Sequence, residues 1–281
     1  MSASRRRSLR RDAMPDGGIQ AARTRSGAHA NETLRTISSL RTIHGDFSDK
    51  EVRDADIEQI LGASVRAASA SAMQSFSIVI VRDPETQHRI CGYRGSCLLL
   101  YLLDYTRSIA TAKRLGHEFA PGDMEWFVTG TTNTMLAVQT AVIAAKSMGI
   151  DSLLTNGVHR GNMERLWEML GLPREYCFPL IAIVLGYPAK EPAFQKGRLS
   201  GPGIVHHGTY RDLTAEEADA IVRQYDNKAL HLGLVEDWDK SGHQHYLDWF
   251  HKDWLGQITR TGETQVFQRL RLAGFVEKAD P

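Results

Sequence analysis

The segment Thr131 to Met148 constrains the fold of this chain more than any other. Met135, Leu136, Val138, Val142, Ile143, Ala144, Ala145 and Met148 go most of the way round a helical cylinder, and Gly149 stands where a helix stops. A helix that is apolar on nearly every side needs neighbours on every side. The rest of the chain and a second subunit are equally able to supply them. Downstream come Thr155-Asn156-Gly157-Val158-His159-Arg160-Gly161 and a second helix ending in Gly171-Leu172-Pro173. A buried helix, a strand and a glycine loop in that order form a cradle suited to a planar cofactor.

Around this segment the chain reads as mixed α and β. Ile57, Ile60, Leu61, Val65 and Ala68 recur near the 3.6 period and predict a helix over 54–70. Ser77 to Val81 is a short β-branched run, so a strand follows. Cys97 to Leu103 and Phe178 to Leu185 are continuously apolar, as central strands covered on both faces would be.

With 281 residues, 42% hydrophobic, the chain can bury a substantial core in one domain with decorations. A net charge of +1 gives no reason to expect nucleic acid, and no apolar run is long enough to cross a bilayer. Cys91, Cys97 and Cys177 are odd in number, lack a C-x-x-C spacing and lie in or beside apolar segments, as reduced core thiols of a cytoplasmic protein do. Neither a dinucleotide fingerprint nor a P-loop is present, and there is no H-E-x-x-H or G-x-S-x-G. His243, His245 and His251 match no standard metal spacing. Tyr246, Trp249, Phe250 and Trp254 fall near helical spacing and predict a packed helix.

The ends differ from the middle. Residues 1–35 carry Arg5, Arg6, Arg7, Arg10, Arg11, Arg23 and Arg25 among Ser, Ala and Gly, which reads as a disordered basic extension. Its Arg- and Ser-rich composition also suits an organelle transit peptide, the minority reading against a cytoplasmic location. The core is placed at 36–210, and 211–281 as a helical extension.

Four separated pieces resemble the FMN-dependent nitroreductase family. Leu40-Arg41-Thr42-Ile43-His44-Gly45-Asp46-Phe47 is similar to its opening motif, with Leu40 and His44 where basic residues are usual. Ala67 to Ile78 is similar to the run A-P-S-x-x-N-x-Q-P-W-x-F, with Ala68 for Pro, Ala72 for Asn and Ser75-Phe76 for Pro-Trp. Gly149 to Gly157, the helix to Leu170 and Phe178 to Pro188 match the family's second half, and Lys196-Gly197-Arg198 matches a downstream K-x-R pair.

The resemblance implies an α+β fold, a central mostly antiparallel sheet flanked by helices, in an intertwined homodimer whose C-terminal arm packs on the domain or the partner. It implies FMN as cofactor and NADH or NADPH as donor. The phosphate and ribityl end would meet Arg41, Thr42, His44, Lys196 and Arg198, and the ring would meet Ser69, Ser71, Gln74, Asn156 and Gly157. Hydride would pass through flavin N5 in ping-pong fashion to a small acceptor such as a nitroaromatic or quinone. The flavin carries the chemistry, and no acid–base residue is assigned. The same fold hosts dehalogenases and oxidases, and a flavin store without turnover is the alternative from another class.

Overall fold

A computed structural model describes residues 31–258 and 264–276. The basic stretch through residue 30, and with it the transit reading, lies outside the described residues. Its expected end is corrected: Glu32–Ser38 forms a helix, α1, because the Asn31 side chain accepts from Leu34 N at 3.0 Å and caps it.

By compactness the chain falls into a larger unit, the described part of His29–Ala193 and Arg260–Pro281, and a smaller one within Phe194–Thr259. The C-terminal residues return to the larger unit for a physical reason. Leu270, Ala273 and Phe275 are buried in its core, and Tyr176 N donates to Ala273 O at 2.8 Å.

The larger unit is built on four strands, β1 (Phe76–Val81), β2 (Cys97–Asp104), β3 (Asp151–Thr155) and β4 (Cys177–Gly186), in the order β1-β2-β4-β3. Every neighbouring pair is antiparallel. All residues of β2 and β4 are buried, as their continuous apolar runs demand. The pleat sends alternate residues to opposite faces. Leu98, Leu100, Ala182 and Val184 enter one core cluster, while Cys97, Leu99, Ile183 and Leu185 enter the other. Each fully buried leucine contributes about 2 kcal/mol.

Among the described residues, five further helices ahead of β4 flank the sheet, α2 (Asp54–Ser64), α3 (Pro84–Cys91), α4 (Thr106–Arg114), α5 (Met124–Ser147) and α6 (Met163–Leu170), and Gln265–Leu272 joins them from the C-terminal end. Helix α2 stops six residues short of the periodic pattern, because the small residues that follow turn into left-handed backbone at Ser71 and Ala72. Helix α5 begins earlier than its apolar run, where Asp123 caps it by accepting from Trp126 N at 3.0 Å. Within the protomer its burial is one-sided: Ala137, Val138, Ala141 and Ala145 are buried, while Val128 is 58% and Leu136 43% exposed. Gly130 lets α5 approach β2, since a Cβ there would stand 2.8 Å from the Leu103 side chain.

In the smaller unit, Thr214 and Glu217 form a capping box at the start of α7 (Ala215–Asp226). The expected aromatic helix is present as Tyr246–Trp249, a π segment Phe250–Trp254, and Leu255–Ile258. Tyr246 is buried and stacks on Tyr225 at 5.4 Å. The histidines there pair with carboxylates, His243 with Asp253 at 2.9 Å and His245 with Asp226 at 2.7 Å.

All three cysteines are free and buried, and burial pushes the Cys97 thiol up to about 11. Among the described residues no helix is long and apolar enough to cross a membrane.

Candidate functional site

The opening motif lies along β3 at the sheet edge. Thr42 bridges Ser152 in parallel, and Ile43 N donates to Ser152 O at 3.1 Å. Alternation buries Ile43 and leaves Thr42 and His44 exposed. The His44 ring meets Tyr93 edge-on, with centroids 6.3 Å apart. Arg41 is spent differently. Its Nε and Nη2 donate to Asp151, and its Nη1 donates to Glu191 at 2.6 Å. Its hydrogen bonds to these two carboxylates raise its pKa further above the ordinary arginine value. The side chain expected at a phosphate therefore tethers its own segment to β3.

The other end of β3 enters the glycine loop. Gly157 N donates to Thr155 Oγ1 at 2.9 Å, and a Cβ on Gly157 would stand 2.4 Å from the carbonyl oxygen of Cys91. Glycine is required here because two backbones meet. The His159 ring shares a 3.0 Å hydrogen bond with Pro179 O, and burial holds its pKa below the ordinary imidazole value, so neutral Nε2–H is the donor. Pro179 occupies a central strand beside a register shift, where its missing N–H leaves the ladder least disturbed. Asn156 is exposed between buried Thr155 and Gly157.

These two pieces therefore share one sheet edge and one neighbour. His44 and Gly45 reach Tyr93, just after α3, and Gly157 reaches Cys91, the last residue of α3. Ser152 and Asn156 are four positions apart, about 13 Å along a strand.

The loop Ser69–Ser75 is elsewhere. It leads into Phe76, which pairs with Leu103 and through it with Phe178, whereas Thr42 pairs with Ser152 and through it with Leu185. Across four strand spacings and along β4 from 178 to 185, the two corners are separated by roughly 30 Å. Ser71, Ala72 and Gln74 all have positive φ, at 51°, 52° and 49°. Left-handed backbone in residues with a Cβ costs about 1–2 kcal/mol each. Such concentrated strain persists only where surrounding groups impose it, and it clusters at functional sites. Ser69 Oγ accepts from Gln74 N at 2.8 Å across this turn.

Lys196 and Arg198 belong to the smaller unit. Lys196 Nζ donates to Gly233 O at 2.6 Å and Glu236 at 3.2 Å, while Arg198 Nη1 turns back to Gly197 O at 2.8 Å. Gly197 is forced, because a Cβ would stand 2.1 Å from Leu230 O.

No family profile matches the chain. The FMN reductase [NAD(P)H] of Bacillus subtilis (strain 168) is 28% identical over 234 residues, covering 77% of this chain and 91% of the relative. The oxygen-insensitive NADPH nitroreductase of Salmonella typhimurium is 26% identical, covering 72% and 83%. The crystal structure of nitroreductase A from Vibrio parahaemolyticus superposes with a TM-score of 0.71 at 23% identity, covering 89% of this chain and all of that one. Over most of its length the chain is similar to flavin reductases and nitroreductases, and it shares the nitroreductase fold.

Within this nitroreductase-like fold, Thr42 and His44 share an edge with Asn156 and Gly157, while Ser69, Ser71 and Gln74 stand at the diagonal corner. Asn133, Arg107, Tyr93, Asp151 and Glu191 support these segments and were not singled out from sequence. Asn133 carried a signal: it is a lone amide on the buried face of an apolar helix. Tyr93 and Glu191 carried none, since their partners are distant in the chain.

Proposed function

We propose that the protein is an FMN-dependent oxidoreductase that takes electrons from NADH or NADPH and passes them to a small acceptor such as a nitroaromatic or quinone. The relatives' FMN and NADPH chemistry supports the cofactor and donor. The observation that carries the site is that an exposed hydroxyl and imidazole, Thr42 and His44, lie along the edge strand whose end leads to the exposed amide Asn156.

The donor set suits FMN. Hydroxyl and imidazole fit a phosphate and ribityl chain, and the family resemblance would add Lys196 and Arg198 at the phosphate. Asn156 and the backbone beside Gly157 fit the polar edge of a ring. Arg41 would act behind them, fixing Thr42 and His44 through Asp151. Bound FMN would supply the hydride-accepting N5, in a ping-pong exchange between nicotinamide and acceptor. The chain's own part is to bind, orient and exclude water, and no side chain is assigned as acid or base.

A homodimer follows from the same reading. Ser69, Ser71 and Gln74 lie too far from Thr42 within one protomer to share a ligand with it, so a second copy would bring this loop to the ring. The exposed Val128 and Leu136 on α5 support such a contact.

The test is FMN retention. Arg198→Ala should raise the FMN dissociation constant at least tenfold, since charge-assisted hydrogen bonds are worth about 1.5–3 kcal/mol. Fluorescence of released flavin on dilution measures it, and an unchanged constant would remove Arg198 from the site.

A further inference from the structure

Asn133 lies in the buried face of α5 and is 1% exposed. Both ends of its amide are used, and neither serves the helix. Oδ1 accepts from Ala70 N at 2.8 Å, and Nδ2 donates to Ser75 Oγ at 2.9 Å. These two anchors bracket Ser71 to Gln74, the stretch with three left-handed residues.

From the other side, Arg107 on α4 donates from Nη2 to Gln74 O at 2.5 Å and Phe76 O at 3.2 Å. Inside the loop, Ala72 N reaches Ser69 O and Met73 N reaches Ala70 O. Those short-range bonds form equally well in ordinary turns, so they do not by themselves select left-handed backbone at Ser, Ala and Gln. The external anchors do. A buried amide is costly unless both of its ends are paired, and an apolar residue would pack this helix face without that cost. The amide's use is to hold the loop, leaving Ser71, Ala72 and Gln74 exposed.

We propose that Asn133 is a positioning residue that fixes the Ser69–Ser75 loop in the shape presented to the flavin, with Arg107 closing the clamp from the solvent side. This rests on the reading of that loop as flavin-facing. Asn133 touches no ligand itself and acts through the backbone it holds.

The test uses FMN-reconstituted protein carrying Asn133→Leu, Asn133→Asp or Arg107→Met. Amide hydrogen exchange is followed at residues 70–76, together with the FMN dissociation constant and the flavin absorption spectrum. Asn133→Leu should speed exchange at Ala70 and Gln74 about tenfold or more and weaken FMN binding about tenfold, while exchange along α5 stays slow. Asn133→Asp should restore the slow exchange, because its two oxygens can accept from Ala70 N and the Ser75 hydroxyl. Arg107→Met, at an exposed position, should move both readouts in the same direction and carries the test if Asn133→Leu fails to fold. Unchanged exchange in Asn133→Leu or, should that variant not fold, in Arg107→Met would overturn the proposal whatever the flavin does. Faster exchange with unchanged FMN affinity and spectrum would overturn it too, by showing that the loop does not face the flavin, while the Arg198→Ala result still judges the FMN reading separately.

Discussion

Arg41 and Asp151, 110 residues apart in sequence, are joined by three hydrogen bonds, the shortest at 2.6 Å. Lys146 adds a fourth contact to the same carboxylate at 2.7 Å, and Asp151 is only 3% exposed. The opening segment, the end of α5 and the start of β3 therefore meet on one buried anion.

Burial pushes the Asp151 carboxyl up, but hydrogen bonds from Arg41 and Lys146 together outweigh it and hold the group below the ordinary aspartate value. Its contribution to stability is thus complete above the unfolded value near pH 4 and is lost as pH falls through the lower folded value. Asp151→Asn should lower unfolding stability by about 3 kcal/mol at neutral pH, because two partly buried cations lose their partner. The variant's stability should also fall less steeply than the parent's below about pH 4. Urea unfolding across pH measures both effects, and parallel curves of equal midpoint would show that the cluster contributes nothing.

Gly157→Ala is expected to be destructive despite its size. The added Cβ would lie 2.4 Å from a main-chain oxygen of α3, and backbone cannot swing aside as a side chain can. Overpacking of this kind costs about 1–3 kcal/mol, so thermal melting should fall by several degrees. FMN retention should fall with it. Gly161→Ala is the control, since nothing lies within 4 Å of a Cβ there.

Much of this fold is legible in the sequence, for a local reason. The apolar runs at β2 and β4 admit only strands buried on both faces, and Gly171, with φ of 60°, stops α6 where its position implies. What local pattern cannot supply is the partner of a polar group. Arg41 reads as a phosphate ligand because nothing nearby in sequence hints at Asp151 or Glu191. Helix α5 reads as wholly buried because periodicity counts apolar residues without knowing which of them the same chain covers, and Leu136 is not covered within its own protomer. The small-residue run before Phe76 reads as a helix end, since its left-handed turn is imposed by Asn133 and Arg107 from other elements.

The exposed stripe of α5 makes the dimer testable. Val128→Asp combined with Leu136→Glu adds two charges to a face that α5 does not bury within its own protomer. If this face is the subunit contact, sedimentation should shift from dimer to monomer while far-UV circular dichroism stays unchanged, and FMN should be lost with the partner. A species of unchanged mass would place the contact elsewhere.

The central claim is that this chain holds a flavin that reduced nicotinamide can reduce. The most direct measurement is anaerobic titration of the FMN-reconstituted protein with NADPH and, separately, NADH, followed by the visible flavin absorbance. The account predicts a yellow protein that bleaches with one equivalent of nicotinamide per flavin and recovers its colour when a quinone or nitroaromatic is added. A protein that fails to retain FMN, or that retains it and stays yellow with both nicotinamides, would contradict the account.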